Sequence, residues 1–413
     1  MASTGIKQEN MKLQNRRAIL ELLNEKERLS RKDISMQIGL TPAAVTQLVN
    51  EMIEEGILLE YGQAQEIKKR VGRKKVLLGI NFDSRLILAV SVEVDATTVS
   101  LCNLRGTALR QTSISTDAGL APEAFLNRVA EEARALARDC PAEQVLGMGV
   151  TVTGPVNRAL GTSLSAFNLW QHPVAVGEIL KKTVPYPVIL ENNIKAFAEA
   201  ELIYGLGRHA GNLLFFKWGP GVGSAIAVDQ EVYPGRNQMG SELGHYIVDP
   251  NGAPCVCGRR GCLETLITVR AVHAALERVL SKENTPLLYE SLGGVPARFT
   301  EAWFESWIRT LPIEKPGAAD PAVQRILNRS LQHAATALAN TITVLAPDRV
   351  VLFGSMLKNP AMVQALVQKC DQANAGAYPG ENIALSPLYG AFRYIGPAAV
   401  VARERFFNAA GLV

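Results

Sequence analysis

The sequence predicts an α/β protein that opens with a winged helix-turn-helix, and three observations carry that reading. The first eighty residues hold three short helical patterns, then two strand patterns around a basic loop. From Leu86 the chain changes to strands alternating with helices, with glycines gathered at strand ends. Between Ser241 and Glu264 one stretch, SELGHYIVDPNGAPCVCGRRGCLE, concentrates a histidine and three cysteines between two carboxylates.

Length and composition bound the possibilities. A chain of 413 residues exceeds what one hydrophobic core usually serves, so two or three domains are expected. At 47% hydrophobic and 20% charged residues the composition is that of a folded globular protein, which excludes bulk disorder. No apolar run approaches the roughly 20 residues that span a bilayer, and MASTGIKQENMKLQ lacks the apolar core of a signal peptide. A cytoplasmic protein with no membrane partner is expected. Three of the six cysteines crowd into residues 255–262, which favours metal binding over a disulfide scaffold. Residues 1–80 hold 14 Lys and Arg against 10 Asp and Glu, whereas the remainder balances at 29 of each. The whole cationic excess therefore lies in the first fifth of the chain, where it points to a module that meets a polyanion.

Asn15 to Lys26 reads as a helix with Ile19, Leu22 and Leu23 on one face. Ser30-Arg31-Lys32-Asp33 fits a capping box and opens a second helix through Ile38. After the Gly39-Leu40 turn, Thr41 caps a third helix with Pro42 at its first position. That helix runs to about Glu55 and buries Val45, Leu48, Val49, Met52 and Ile53 before Gly56 ends it. Ile57–Tyr61 and Val76–Ile80 are strand-like. The loop between them carries Lys68, Lys69, Arg70, Arg73, Lys74 and Lys75 against the single acid Glu66, as the wing of a DNA-binding domain would. On that reading Thr41, Ala43, Thr46, Gln47 and Asn50 face base edges, with Gln47 and Asn50 suited to adenine, while Arg73 beside Gly72 suits a minor groove. The competing reading is a small helical bundle with a solvated basic loop, and the attached wing argues against it.

In the body, LILAVSVEV, TVSLCNL, VLGMGVTV, PVILE, LLFFKWG, SAIAV and RVVLFG read as strands. Pro122–Arg138, Ala196–Ile203 and about Arg325–Leu345 read as helices. Residues 282–322 read as an insertion of helices and loop. His245, Cys255, Cys257 and Cys262 supply one nitrogen and three sulfurs, the donor set of a structural tetrahedral Zn²⁺. Gly258 and Gly261 let the backbone fold back toward the ion. With four donors no position is left open for catalysis. Free thiols in a reducing compartment are the alternative.

The order of motifs resembles the ROK family of repressors and sugar kinases. The matching stretches are GMGVTVTGPVN (147–157), FNLW (167–170), PVILENNIKAFAEAE (187–201), GPGVGSAIAV (219–228), SELGH (241–245), CVCGRRGCLE (255–264) and RVVLFGS (349–355). With the winged helix in front, the resemblance is to the transcriptional regulators of that family, the N-acetylglucosamine and xylose repressor type. It implies a winged helix over residues 1–80 and a two-lobed, actin-like or hexokinase-type (ribonuclease H-like) ROK body over 81–413. Lobe 1 would take about 81–194 with about 386–413, and lobe 2 about 195–385. It implies zinc at the His/Cys set and a sugar, or sugar phosphate, held by Glu242, His245, Glu264, Asn168, Asn192 and Asn193.

The same resemblance shows what is missing for phosphoryl transfer. Family kinases carry an Asp base third in a Glu-Asn-Asp run. Here the run is Glu191-Asn192-Asn193, and an amide takes no proton at neutral pH. The phosphate loop Asp-x-Gly-Gly-Thr reads Glu93-Val94-Asp95-Ala96-Thr97. Pro220 replaces the usual Thr in the second glycine loop, and Phe353-Gly354 replaces a Gly-Gly at the nucleotide site. The expectation is a non-enzymatic, sugar-responsive regulator of carbohydrate genes, a homodimer or dimer of dimers on double-stranded operator DNA. A sugar kinase with an accessory DNA-binding module is the alternative, and a protein partner is a further candidate effector.

Overall fold

The computed structural model describes residues 3–63, 76–166, 169–238, 240–313, 317 and 319–412. The chain divides into two compact units, one running through Tyr204 with the segment from Ala391 onward, the other Gly205–Gly390.

The first unit begins with α1 (Ser3–Lys26), β1 (Leu29–Ser30), α2 (Arg31–Ile38), α3 (Pro42–Glu54), β2 (Leu58–Gln63) and β3 (Val76–Ile80). The local chemistry is as the sequence requires. Ser30 and Asp33 form a reciprocal capping box, and Gly39 closes α2 in the left-handed region at φ +69°. The Thr41 hydroxyl accepts from the Ala44 N–H, with Pro42 at the first helical position, a cap that contributes about 1 kcal/mol. Val45, Leu48, Val49 and Met52 are buried along α3, while Ile53 is only half-buried. β3 lies between β1 and β2 in an antiparallel sheet. Helix α1 starts twelve residues before the expected Asn15, because polar Gln, Lys and Glu residues sustain a helix without an apolar stripe.

The same unit continues with β4 (Leu86–Val92), β5 (Ala96–Asn103), β6 (Ala108–Ser115), α4 (Pro122–Ala137) and β7 (Val145–Val152). A small ribbon, β8 (Val156–Asn157) with β9 (Thr162–Ser163), precedes α5 (Val176–Lys181), β10 (Val188–Asn192) and α6 (Asn193–Tyr204). The sheet order is β10-β7-β4-β5-β6, with β4, β7 and β10 parallel and β5 antiparallel to its neighbours. Strand β6 went unread in the sequence because its burial is low and its residues are mostly polar. The C-terminal helix Phe392–Ala402 and a π-helical turn, Arg403–Phe407, complete the unit. Gly149 admits that helix: a Cβ there would lie 2.1 Å from the Pro397 carbonyl oxygen.

The second unit contains β11 (Leu213–Trp218), β12 (Val222–Val228), β13 (Glu231–Val232), β14 (Arg349–Phe353) and β15 (Ile383–Leu385) in the order β13-β12-β11-β14-β15. Numbered along each unit, both sheets run 3-2-1-4-5 with the second strand antiparallel to both neighbours, so one fold pattern occurs twice. Its helices are α7 (Glu264–Ile267), α8 (Val269–Glu277), α9 (Pro286–Ser291), α10 (Glu301–Ile308), α11 (Pro321–Leu345) and α12 (Pro360–Ala373). The insertion uses its aromatics for packing. His273 stacks on Phe299 at 4.4 Å, and Phe304 and Trp303 meet Phe299 edge-on. No helix of the described residues is long and apolar enough to cross a membrane.

Candidate functional site

The metal loop is built from a short hairpin. The Cys255 N–H bonds to the Arg259 carbonyl and the Gly258 N–H to the Cys255 carbonyl, which turns the chain between the first two cysteines. Gly261 then crosses the chain before it: a Cβ there would sit 1.5 Å from the Asp249 carbonyl oxygen, and its φ is +65°. Only glycine meets both conditions. Cys262 pairs with Ile247, and the Leu263 N–H donates to the Tyr246 carbonyl, so the third cysteine returns beside His245.

Donor atoms of His245, Cys255, Cys257 and Cys262 all lie within 4.8 Å of one another. The Cys257 and Cys262 sulfurs are 3.6 Å apart, and Cys255 Sγ is 3.5 Å from His245 Nδ1. A tetrahedron with metal–sulfur bonds of ~2.3 Å and metal–nitrogen bonds of ~2.0 Å has edges of about 3.8 and 3.5 Å. The set therefore fits one tetrahedral ion. It does not fit a disulfide, whose sulfurs bond at ~2.0 Å, and all six cysteines are free. Arg259 donates to Cys257 Sγ at 3.3 Å and lowers that thiol to about 6, which favours the thiolate form that binds metal. Burial, and then the Glu264 carboxylate, push Cys255 up.

The carboxylates flank this cluster unequally. Glu264 opens α7 and places Oε1 2.8 Å from Cys255 Sγ and 3.5 Å from His245 Nδ1. Glu242 is exposed at the start of the short helical turn Leu243–His245. The residue before it, Ser241, has φ +69° and a buried hydroxyl without a hydrogen-bond partner among the described residues. Strained backbone of this kind collects at functional sites. The Ser224 hydroxyl holds the segment by donating to the Ser241 carbonyl and accepting from the Leu243 N–H.

In the first unit, Asn192 ends β10 and Asn193 begins α6. Asn192 Oδ1 accepts from the Ile194 and Lys195 N–H groups at 2.9 and 3.2 Å, and its Nδ2 donates to the Gly154 carbonyl at 2.9 Å. Its side chain thus caps α6 and fastens the loop after β7. Asn193 Nδ2 donates to Glu93 Oε1 at 3.1 Å. Asp95 pairs with Arg393 at 2.6 Å. Burial raises the Asp95 carboxyl, but the Arg393 hydrogen bond and charge outweigh it and hold the group below the usual range. In the second unit the Phe353 ring packs 4.5 Å from that of Tyr389, over which the Lys358 ammonium lies at 4.5 Å. Asn168 lies outside the described residues.

Thr41, Ala43, Thr46, Gln47 and Asn50 are all exposed on one face of the α3 region. Two hydroxyls are occupied locally, Thr41 by its cap and Thr46 by the Pro42 carbonyl at 2.7 Å. Gln47 donates to Glu51 at 3.3 Å, and Asn50 accepts from Arg31 at 3.0 Å. Arg31, which the sequence reading passed over, therefore stands beside this face, also paired with Glu60. Its signal was available, as the first residue of α2 beside Lys32. Lys68, Lys69, Arg70, Arg73 and Lys74 lie outside the described residues.

A helix-turn-helix with paired wing strands, followed in the chain by two sheets of one repeated pattern, defines a DNA-binding regulator with a sugar-kinase-like body. Residues 87–393 match the ROK family and residues 12–58 match a winged helix-turn-helix DNA-binding family. The chain belongs to the ROK family. It is 28% identical over 340 residues to a putative xylose repressor of Caldicellulosiruptor sp., covering 82% of each chain. It is 25% identical to a glucokinase of Thermotoga maritima, covering 76% of this chain and 97% of the enzyme. A crystal structure of a ROK family transcriptional regulator, described as a homologue of the Escherichia coli Mlc protein, superposes with a TM-score of 0.77 at 22% identity, covering 97% of this chain and 98% of that one.

Proposed function

We propose that the protein is a sugar-responsive repressor of carbohydrate uptake or catabolism genes and that it transfers no phosphate. It binds operator DNA and answers to a sugar effector, acting in the cytoplasm, where its operator lies. One observation carries the non-enzymatic reading: Asn193 and Asp95, at the positions of the kinase base and phosphate loop, are engaged by Glu93 and Arg393. A carboxylate lies where phosphate oxygens would need donors, and the base position holds an amide. The packing of Phe353 on Tyr389 supports the same reading at the nucleotide site.

The winged helix is assigned to residues 1–80, with Thr41, Ala43, Thr46, Gln47 and Asn50 toward bases and Lys68, Lys69, Arg70, Arg73 and Lys74 toward phosphates. The body takes 81–413, its first lobe about 81–194 with 386–413 and its second about 195–385. His245, Cys255, Cys257 and Cys262 would hold Zn²⁺, which on binding fixes the loop and supplies no chemistry. Glu242, Glu264 and the second His245 nitrogen accept or donate to sugar hydroxyls, as do Asn168, Asn192 and Asn193. A dimer, or a dimer of dimers, would place two wings on two half-sites.

The test is a thermal-shift and calorimetric screen of D-xylose, D-glucose, N-acetyl-D-glucosamine, their phosphates and ATP on the full chain. A sugar that binds and changes operator affinity, with no ATP turnover, supports the proposal. ATP-dependent phosphorylation of a hexose would replace it by a kinase with an accessory DNA-binding module, the reading that the glucokinase relative keeps in view. Binding of operator DNA with no response to any sugar would point to a protein effector.

A further inference from the structure

We propose that Arg16 and Arg158 are positioning residues that link the end of the recognition helix α3 to strand β10 through one shared element, the C-terminal turn of the chain. The inference rests on the repressor reading above and states how occupancy at Asn192 and Asn193 reaches the DNA-binding face.

Arg16 is 1% exposed although it carries a permanent charge. A guanidinium is buried this deeply only when its donors are matched. Its Nη1 donates to Glu55 at 2.8 Å and its Nη2 to the other oxygen of the same carboxylate, a bidentate fork. Its Nε donates to the Ala410 carbonyl at 3.0 Å. Glu55 is the C-cap of α3, so one side chain clamps the recognition helix to the chain's last residues. The backbone there is shaped for the contact. Ala410 and Gly411 both have positive φ, and a Cβ on Gly411 would lie 2.8 Å from Ile57 Cδ1.

The other end of the same segment grips β10 and α6. Arg158 donates from Nη2 to Glu404, in the π-helical turn, at 2.9 Å and from Nη1 to Glu191 at 2.8 Å. Glu191 is 4% exposed, and its second oxygen accepts the Asn192 N–H. Arg403, the first residue of the turn, pairs with Glu199 of α6, the helix that Asn193 begins. Movement at Asn192 or Asn193 therefore bears on both ion pairs of the turn.

The turn has the character of an element with more than one arrangement. π-Helical turns are rare and recur at functional sites. Two buried donors within it, Arg403 Nη2 and Arg405 Nε, have no hydrogen-bond partner among the described residues, so the pairing seen does not exhaust what these side chains can make. A ligand that favours one pairing shifts the population of both ends together.

Hydrogen–deuterium exchange on the full-length protein tests the link without any effector. Arg158→Gln, which touches neither α3 nor α1, is expected to raise exchange several-fold both in residues 403–411 and in residues 50–58. Faster exchange in 403–411 with none in 50–58 overturns the proposal. Glu404→Gln, on a half-exposed carboxylate, makes the same cut should Arg158→Gln fail to fold. In the second arm D-xylose is the probe, with a fluorescent operator selected by the wild-type protein. Coupling of about 5–150-fold in the wild type falls below about twofold in either variant while calorimetric D-xylose binding persists. An undiminished factor overturns the link. If D-xylose does not act on the wild type, the choice of sugar fails, and the exchange arm still decides the link.

Discussion

Asn193 donates a hydrogen bond to Glu93 across 3.1 Å, joining the start of α6 to the end of β4. In a family that includes kinases this pairing makes a direct prediction. Asn193→Asp, the change that would write back a base, sets two carboxylates against each other. The variant should show no ATP-dependent sugar phosphorylation and should lose about 1–3 kcal/mol of stability at pH 7. Like-charge repulsion raises a carboxyl pKa in the folded state, so the loss should shrink as pH falls and a proton is shared. Denaturant melts at several pH values measure it, and turnover in the single variant would show that the phosphate loop still works.

Gly261 tests the loop geometry. Its φ of +65° and the 1.5 Å approach to the Asp249 carbonyl leave no room for a methyl group. Gly261→Ala should cost about 2–4 kcal/mol and lower metal content on purification. Gly258→Ala is the control: its φ is +84° but nothing lies within 4 Å of a Cβ there, so only backbone strain, about 1–2 kcal/mol, is expected.

For the metal, Cys257→Ser and Cys262→Ser should each reduce zinc from about one per chain to near zero by elemental analysis, with a lower melting temperature in both. Wild-type protein with no zinc after gentle purification would refute the assignment. Cys102→Ser, in a strand of the first unit, should leave zinc unchanged, although burying a hydroxyl in its place lowers stability.

Wing cations are read through salt. Replacing Arg73 and Lys74 with Ala should weaken operator binding and reduce the slope of log affinity against log salt by about 2, near 0.9 for each phosphate no longer neutralised. Gln47→Ala should instead relax base preference at one position and leave that slope unchanged. Anisotropy titrations at three salt concentrations separate the two effects.

Much of this was legible in sequence because the signals are local. Ser30 with Asp33, Gly39, Thr41 and Pro42 each act within one turn of chain, and all behave as their chemistry requires. The His/Cys set was legible because the three cysteines fall within eight residues and the loop between them has little freedom. β6 was not, since its mostly polar residues show no simple alternation and it is placed by pairing with β5. The cap that Asn192 makes on α6 was also hidden, because an amide's local hydrogen bonds depend on where the backbone turns.

The sequence by itself determined the family, the order of elements, the donor set for a metal and the absence of a carboxylate base at Asn193. Those rest on residue identity and on interactions between near neighbours. Only the tertiary structure decided which distant polar groups meet. Arg16 lies 394 residues from Ala410, Arg158 lies 246 from Glu404 and Asp95 lies 298 from Arg393. An ion pair carries no periodicity and no spacing in the chain. Its partner is set by which segments the fold brings side by side, and that follows from packing far from either residue in the chain.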